Sequence, residues 1–152
     1  MTASATQYRI RGVIQKDHPY IARLESAAVE YPATLDELED TLRGRTTVAL
    51  VVEDNKEQII GACVYSNLSD RTIIRHLMVH PKHQRQGIGT GLIKRMKSKL
   101  NSKRTRLEIA LRDTDLSAHL FLKAQGFTAD KIIKKAYENG SDAYVFSYGG
   151  KS

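Results

Sequence analysis

One cysteine, no tryptophan and three prolines among 152 residues exclude several kinds of protein at once. Cys63 has no partner in the chain, so a disulfide framework and a cysteine-based metal site are both unavailable, and a buried strand thiol is the expected reading. Long apolar runs are missing too: the longest, Val48 to Val52, falls far short of the roughly 18 residues of a membrane span. Met1 to Ile10 shows no basic-then-apolar export pattern. A soluble, cytoplasmic protein with no membrane partner is expected. Repeats, low-complexity tracts and Pro/Gly/Ser linkers are also lacking, which predicts a flexible N-terminus over 1–7 and one domain over 8–149. At 41% hydrophobic, that domain can bury a real core, since chains near this length remove about 68–70% of their unfolded surface from water.

Acidic residues are absent from 71–107, a stretch that holds eleven Lys or Arg, while the rest of the chain carries 13 basic against 17 acidic residues. A block of one sign points to an anionic partner such as a phosphorylated small molecule, or to a solvated helix face. Nucleic acid is disfavoured because no recognition motif or interleaved aromatics accompany the basic stripe from Lys94 to Arg106.

The patterning predicts the order β, α, α, three strands, α, β, α and a final hairpin. Tyr8 to Val13 reads as a strand, and Asp17 caps a helix carrying Ile21, Leu24 and Ala28. Asp36 to Arg43 reads as a second helix. Thr46–Glu53 and Gln58–Asn67 form a hairpin around Asp54-Asn55, and Arg71 to His80 is a third apolar strand ended by Pro81. Leu92, Ile93, Met96 and Leu100 recur at helical spacing, with lysines opposite. Arg106 to Leu111 alternates as a strand, and Asp115 caps a helix with Leu116, Leu120, Phe121 and Ala124 that Gly126 stops. Asn139-Gly140 marks a tight turn between Phe127–Tyr137 and Ala143–Tyr148. Strands in a row followed by one crossover imply an α/β fold with a mixed, mostly antiparallel twisted sheet and helices on both faces.

Between the third strand and its helix lies Gln84-Arg85-Gln86-Gly87-Ile88-Gly89-Thr90-Gly91. Glycines at a helix start let several N–H groups converge on an anion where the helix dipole adds attraction, so phosphate or pyrophosphate is the expected ligand. The Walker pattern fails for want of Gly-Lys-Ser/Thr, and the dinucleotide fingerprint fails because its third glycine falls at Leu92.

Leu77-Met78-Val79-His80-Pro81, then Gln84, Gly87 and Gly89 in the pattern Q/R-x-x-G-x-G/A, then Leu122-Lys123-Ala124-Gln125-Gly126-Phe127, resemble the acetyl-coenzyme A-binding core of the GNAT superfamily of N-acetyltransferases, most of all its ribosomal-protein-alanine group. The resemblance implies acetyl-CoA as donor, its pantetheine arm held by backbone at Leu77, Met78 and Val79 and its pyrophosphate by N–H groups from Arg85 through Gln86, Gly87, Ile88 and Gly89 to Thr90. Asp115 stands where the family has an Asn that touches the cofactor. The ribosomal group's catalytic Glu and Tyr fall at Ala110 and Leu122, so both side chains are missing.

The remaining candidates are Glu108, which alternation puts on the same side of its strand as Ala110; His76, whose residue type titrates near neutrality; and Tyr137 or Tyr144 as acid for the departing thiolate. His80 and His83 are expected to face solvent. The resemblance implies acetyl transfer to a primary amine, with a protein or peptide N-terminal α-amine as leading acceptor. The alternatives are a small amine such as a polyamine or amino-sugar, favoured by the acid-rich, base-free stretch 25–40, and a non-catalytic coenzyme A sensor.

Overall fold

The computed structural model describes residues 7–150, so all of the expected flexible N-terminus except Gln7 lies outside the described residues. Strands β1 (Tyr8–Gly12), β2 (Thr47–Asp54), β3 (Ile59–Asn67), β4 (Arg71–Val79), β5 (Arg106–Arg112), β6 (Thr128–Ile133) and β7 (Ala143–Gly149) form one sheet in the order β1-β2-β3-β4-β5-β7-β6. Among the described residues, only β4 and β5 run parallel. Helix α3 (Ile88–Ser98) makes that crossover; α1 (His18–Ala28) and α2 (Leu35–Leu42) join β1 to β2, and α4 (Leu116–Ala124) joins β5 to β6.

Alternation along the central strands sorts the core into two layers. Leu50, Val52 and Cys63 pack with Ile88, Leu92, Ile93 and Met96 of α3 and Leu122 of α4. Val51, Ala62 and Met78 face the other way onto Ile21, Leu24 and Leu38 of α1 and α2. Cys63 is fully buried and burial pushes its thiol up to about 12, which leaves it unreactive at neutral pH, as its strand position implied.

Four local expectations are corrected. Asp17 does not cap α1 with its side chain; a 3₁₀ turn over Gln15–Asp17 precedes the helix, and the carboxylate accepts the Ile14 N–H and both terminal nitrogens of Arg11. Arg11 also reaches Glu53, so one guanidinium serves two buried carboxylates that local helix-start signals could not reveal. Asp115 occupies the start of α4 but likewise makes no side-chain cap. Leu116 and Leu120 are exposed, because Phe121 and Leu122 are the α4 residues turned to the core. Asn139-Gly140 does form a turn, with Gly140 at φ 86°, yet pairing stops at Ile133 and Ala143, so the turn caps a longer excursion over 134–142. Elsewhere α2 starts as a capping box, Thr34 Oγ1 accepting the Glu37 N–H and Glu37 accepting that of Thr34.

Candidate active site

β4 and β5 pair only from Arg71/Arg106 to Ile74/Ile109, although β4 stays on β3 to Val79 and β5 stays on β7 to Arg112. The parting coincides with a bulge: Val64 pairs with His76 and Tyr65 with Ile74, leaving Arg75 as an extra residue in β4. A bulge bends its strand and sharpens its twist, which steers β4 away from β5. Beyond it, the β4 edge facing β5 has no strand partner among the described residues. The gap opens into a cleft of about 1100 Å³ lined by Arg75 to Val79, Ile109 to Arg112, the start of α3, α4 and the α1–α2 loop.

One end of this cleft is built from the glycine turn. Gly87 is the N-cap of α3 at φ 84°, a left-handed conformation that glycine adopts at no steric cost, and a Cβ there would meet nothing within 4 Å. The first-turn N–H groups of Ile88, Gly89 and Thr90 have no intrahelical acceptor. Gly91 is constrained in a different way: a Cβ would sit 2.6 Å from the Tyr8 hydroxyl, which would have to shift. The Gln84 side chain donates to the Val79 carbonyl at 3.2 Å, tying the turn to the end of β4, and Gln125 donates to Thr90 Oγ1 at 3.2 Å, tying it to α4. His83 donates to Gln86, and His80 and His83 stack edge to face, so both are part-buried and not free in solvent.

The other end is acidic and aromatic. Glu25, Glu30 and Glu37 line it, with Tyr31 and Tyr137. His76 Nδ1 lies 2.5 Å from Glu25 Oε1, and Glu25, 3% exposed, takes the Ala33 N–H on its second oxygen at 2.8 Å. Arg112 is sandwiched between the Tyr31 and Tyr137 rings at 4.0 and 3.9 Å, and Asn139 bonds both Arg112 and the Tyr31 hydroxyl. The α1–α2 loop and the 134–142 excursion are thus joined across the cleft. Burial raises the Tyr137 phenol above its ordinary range; Asp115, also in the lining, adds to the rise and Arg112 opposes it.

Of the sequence-derived candidates, His76, Tyr137, Leu77, Met78, Val79, Gln84, Arg85, Gly87, Gly89, Thr90 and Asp115 line the cleft, as do Ala110 and Leu122. Glu108 does not. It lies where β4 and β5 are still paired, held by Arg71 at 2.8 Å and Arg106 at 3.2 Å. Tyr144 packs on His119 at the edge of the core and does not line the cleft. Glu25 and Arg112 were not singled out by chain order; a Glu inside an amphipathic helix reads as surface, and only the bulge puts His76 on its side of the sheet.

A sheet parted between two parallel strands, with a glycine-started helix at one end of the gap, forms a cleft that can take an extended ligand with its anionic end at the helix N-terminus. Residues 45–129 match the family model described as an acetyltransferase (GNAT) domain, and the chain belongs to that family. It is an acetyl-CoA-dependent acyltransferase. No curated protein matches the sequence significantly. Among solved structures, the fold is similar to the ribosomal-protein-S18-alanine N-acetyltransferase of Escherichia coli (19% identity, 94% of each chain, TM-score 0.83). It is also similar to NAA60 of Arabidopsis thaliana in complex with acetyl-CoA (13% identity, 94% of this chain and 98% of that one, TM-score 0.81). A third similar structure is the spermidine N-acetyltransferase of Vibrio cholerae with CoA and spermine (18% identity, 94% and 95%, TM-score 0.75). Acetyl-CoA fits the residues present: the place a Gly87 Cβ would take is open, and bare N–H groups border it.

Proposed function

We propose that the protein acetylates the α-amine of a protein or peptide N-terminus. Acetyl-CoA supplies a thioester whose C–S bond breaks as the C–N bond to the amine forms. The turn from Gln84 to Thr90 would hold the pyrophosphate through its N–H groups, and the unpaired β4 edge at Leu77 to Val79 would hold the pantetheine arm. His76, the imidazole at the acidic end of the cleft, takes the ammonium proton on Nε2. Tyr137, whose phenol burial raises, keeps its proton at neutral pH and would give it to the departing thiolate, although a thiol of ordinary pKa about 8.5 needs little help.

The observation that carries the acceptor reading is the apolar replacement of strong acid–base groups in the lining, Ala110 and Leu122, which leaves His76 as the imidazole at the acidic end while His83 stands at the glycine-turn end beside Gln86. An α-amine of pKa about 7.7–8.0 is neutral in roughly a fifth to a third of molecules near pH 7.4, a lysine of about 10.4 in roughly one per thousand. The weaker the base, the more the first is favoured. A polyamine is the second reading, supported by Glu30 and Glu37 in the lining and by the spermine-bound relative. Mass spectrometry of peptides offering an α-amine and lysines, alongside spermidine and aminoglycosides, separates them. Acetylation of the α-amine is expected; turnover confined to spermidine would replace this reading with the second, and turnover on no amine would leave a coenzyme A sensor.

A further inference from the structure

Glu25 is the most buried carboxylate facing the cleft, and the chemistry described so far does not use it. It reaches the site from α1, across the sheet-helix interface, and its two oxygens have one partner each: His76 Nδ1 at 2.5 Å and the Ala33 N–H at 2.8 Å. His76 Nε2 has no protein partner among the described residues. A carboxylate only accepts hydrogen bonds, so in the neutral imidazole the proton must sit on Nδ1, and Nε2 is left with its lone pair bare.

We propose that Glu25 is a positioning residue for acetyl transfer, holding His76 in the tautomer whose Nε2 accepts a proton in the cleft while anchoring the acceptor-side loop at Ala33. The inference rests on the reading of His76 as base and deepens it. The protons balance: one N–H bond of the incoming ammonium breaks and its proton moves to Nε2; the electron pair left on nitrogen forms the C–N bond as the C–S bond breaks; and the second N–H proton, which the new amide must shed, replaces the one that Tyr137 gives to the departing thiolate. Nδ1 keeps its own proton, shared with the Glu25 carboxylate, which stabilises the resulting imidazolium. Because the same carboxylate binds the loop that follows Tyr31 and Pro32, base orientation and loop position are set by one side chain.

Glutamine at position 25 tests this with little change of shape. Its single oxygen has two donors to serve, and only one arrangement avoids an N–H facing an N–H: the oxygen takes Ala33, the amide donates to Nδ1, and the ring proton shifts to Nε2. E25Q then keeps the loop tie and loses the base. The expected result is a kcat at least about tenfold lower, approaching that of H76A within the roughly 10²–10⁴-fold range of general-base catalysis, with acetyl-CoA affinity unchanged. Nitrogen-15 NMR of the neutral imidazole should find the proton on Nδ1 in the wild-type enzyme and on Nε2 in E25Q. A wild-type kcat in E25Q alongside an impaired H76A overturns the positioning role alone. A wild-type kcat in H76A removes the base, and the reading beneath it. The wild-type spectrum needs no variant to fold: a proton found on Nε2 overturns the proposal directly.

Discussion

At the scale of single residues, Gly87 and Arg11 carry burdens their neighbours cannot take over. Gly87 at φ 84° would cost an L-residue roughly 1–2 kcal/mol, more if β-branched, and the new side chain would stand in the space the N–H groups border. Gly87→Val should therefore weaken acetyl-CoA binding by at least about tenfold in calorimetry while circular dichroism stays native. Arg11 is the shared partner of Asp17 and Glu53. Its hydrogen bond holds the Asp17 carboxyl below the usual carboxylate range, and Arg9, then Arg11, does the same for Glu53. A carboxyl depressed in the folded state stabilises fully above its unfolded value, about 4, and that contribution is lost as pH falls through the native value. Arg11→Ala should cost on the order of 3 kcal/mol near pH 7, the low end for breaking a buried pair because a quarter of Arg11 is exposed (25%). The gap between variant and wild type should narrow as acid protonates the carboxylates, which melts at pH 7 and pH 3 will read.

At the scale of elements, the acceptor side is held by two loops and one cation. Arg112, at the end of β5, lies between Tyr31 of the α1–α2 loop and Tyr137 of the 134–142 excursion. Cation–π contacts of this kind are worth about 0.5–2 kcal/mol each, enough to set how closely the loops approach without fixing the fold. Arg112→Ala should raise the acceptor KM several-fold and leave acetyl-CoA affinity and melting temperature close to wild type. A loss of acetyl-CoA binding in steady-state and calorimetric measurements would show that the stack belongs to the donor side instead. The α4 helix illustrates the limits of pattern at this scale. Leu116 and Leu120 have core-like spacing, yet the helix turns Phe121 and Leu122 inward and leaves both leucines to the surface, Leu120 on the cleft rim.

For the whole molecule, the basic stretch 71–107 divides once folded. Arg71 and Arg106 are neutralised by Glu108, Asp70 and Asp130, all outside that stretch, and Arg104 and Lys97 bind backbone carbonyls. Lys82, Arg85, Lys94, Arg95, Lys99 and Lys103 have no carboxylate partner among the described residues. Of these, Arg85 lines the cleft at its glycine-turn end, opposite the acidic end formed by Glu25, Glu30 and Glu37. Attraction between exposed charges is screened over about 8 Å at physiological ionic strength. Acetyl-CoA affinity should accordingly fall between 50 mM and 500 mM salt, on the order of several-fold, whereas a flat response would mean that backbone N–H groups alone hold the phosphates. No helix among the described residues is long and apolar enough to cross a membrane.

What the sequence determined by itself was everything that local periodicity and turn chemistry encode. The order of elements, the parallel crossover through α3, the glycine turn at its start and the buried Cys63 follow from residues within a few positions of one another, and so does the family. Only tertiary structure decided the catalytic surroundings. Simple alternation from Ile74 puts His76 on the α3 face of the sheet; the bulge at Arg75 moves it to the face of Met78, where Glu25 of α1 meets it across 51 positions of chain. Alternation likewise grouped Glu108 with Ala110, but the strands part only after Ile109, so one lines the cleft and the other is held by arginines. A bulge adds one residue to one strand and shifts the facing of those beyond it, and its position depends on how two strands settle against each other. That is a property of the pair, and no single stretch of sequence contains it.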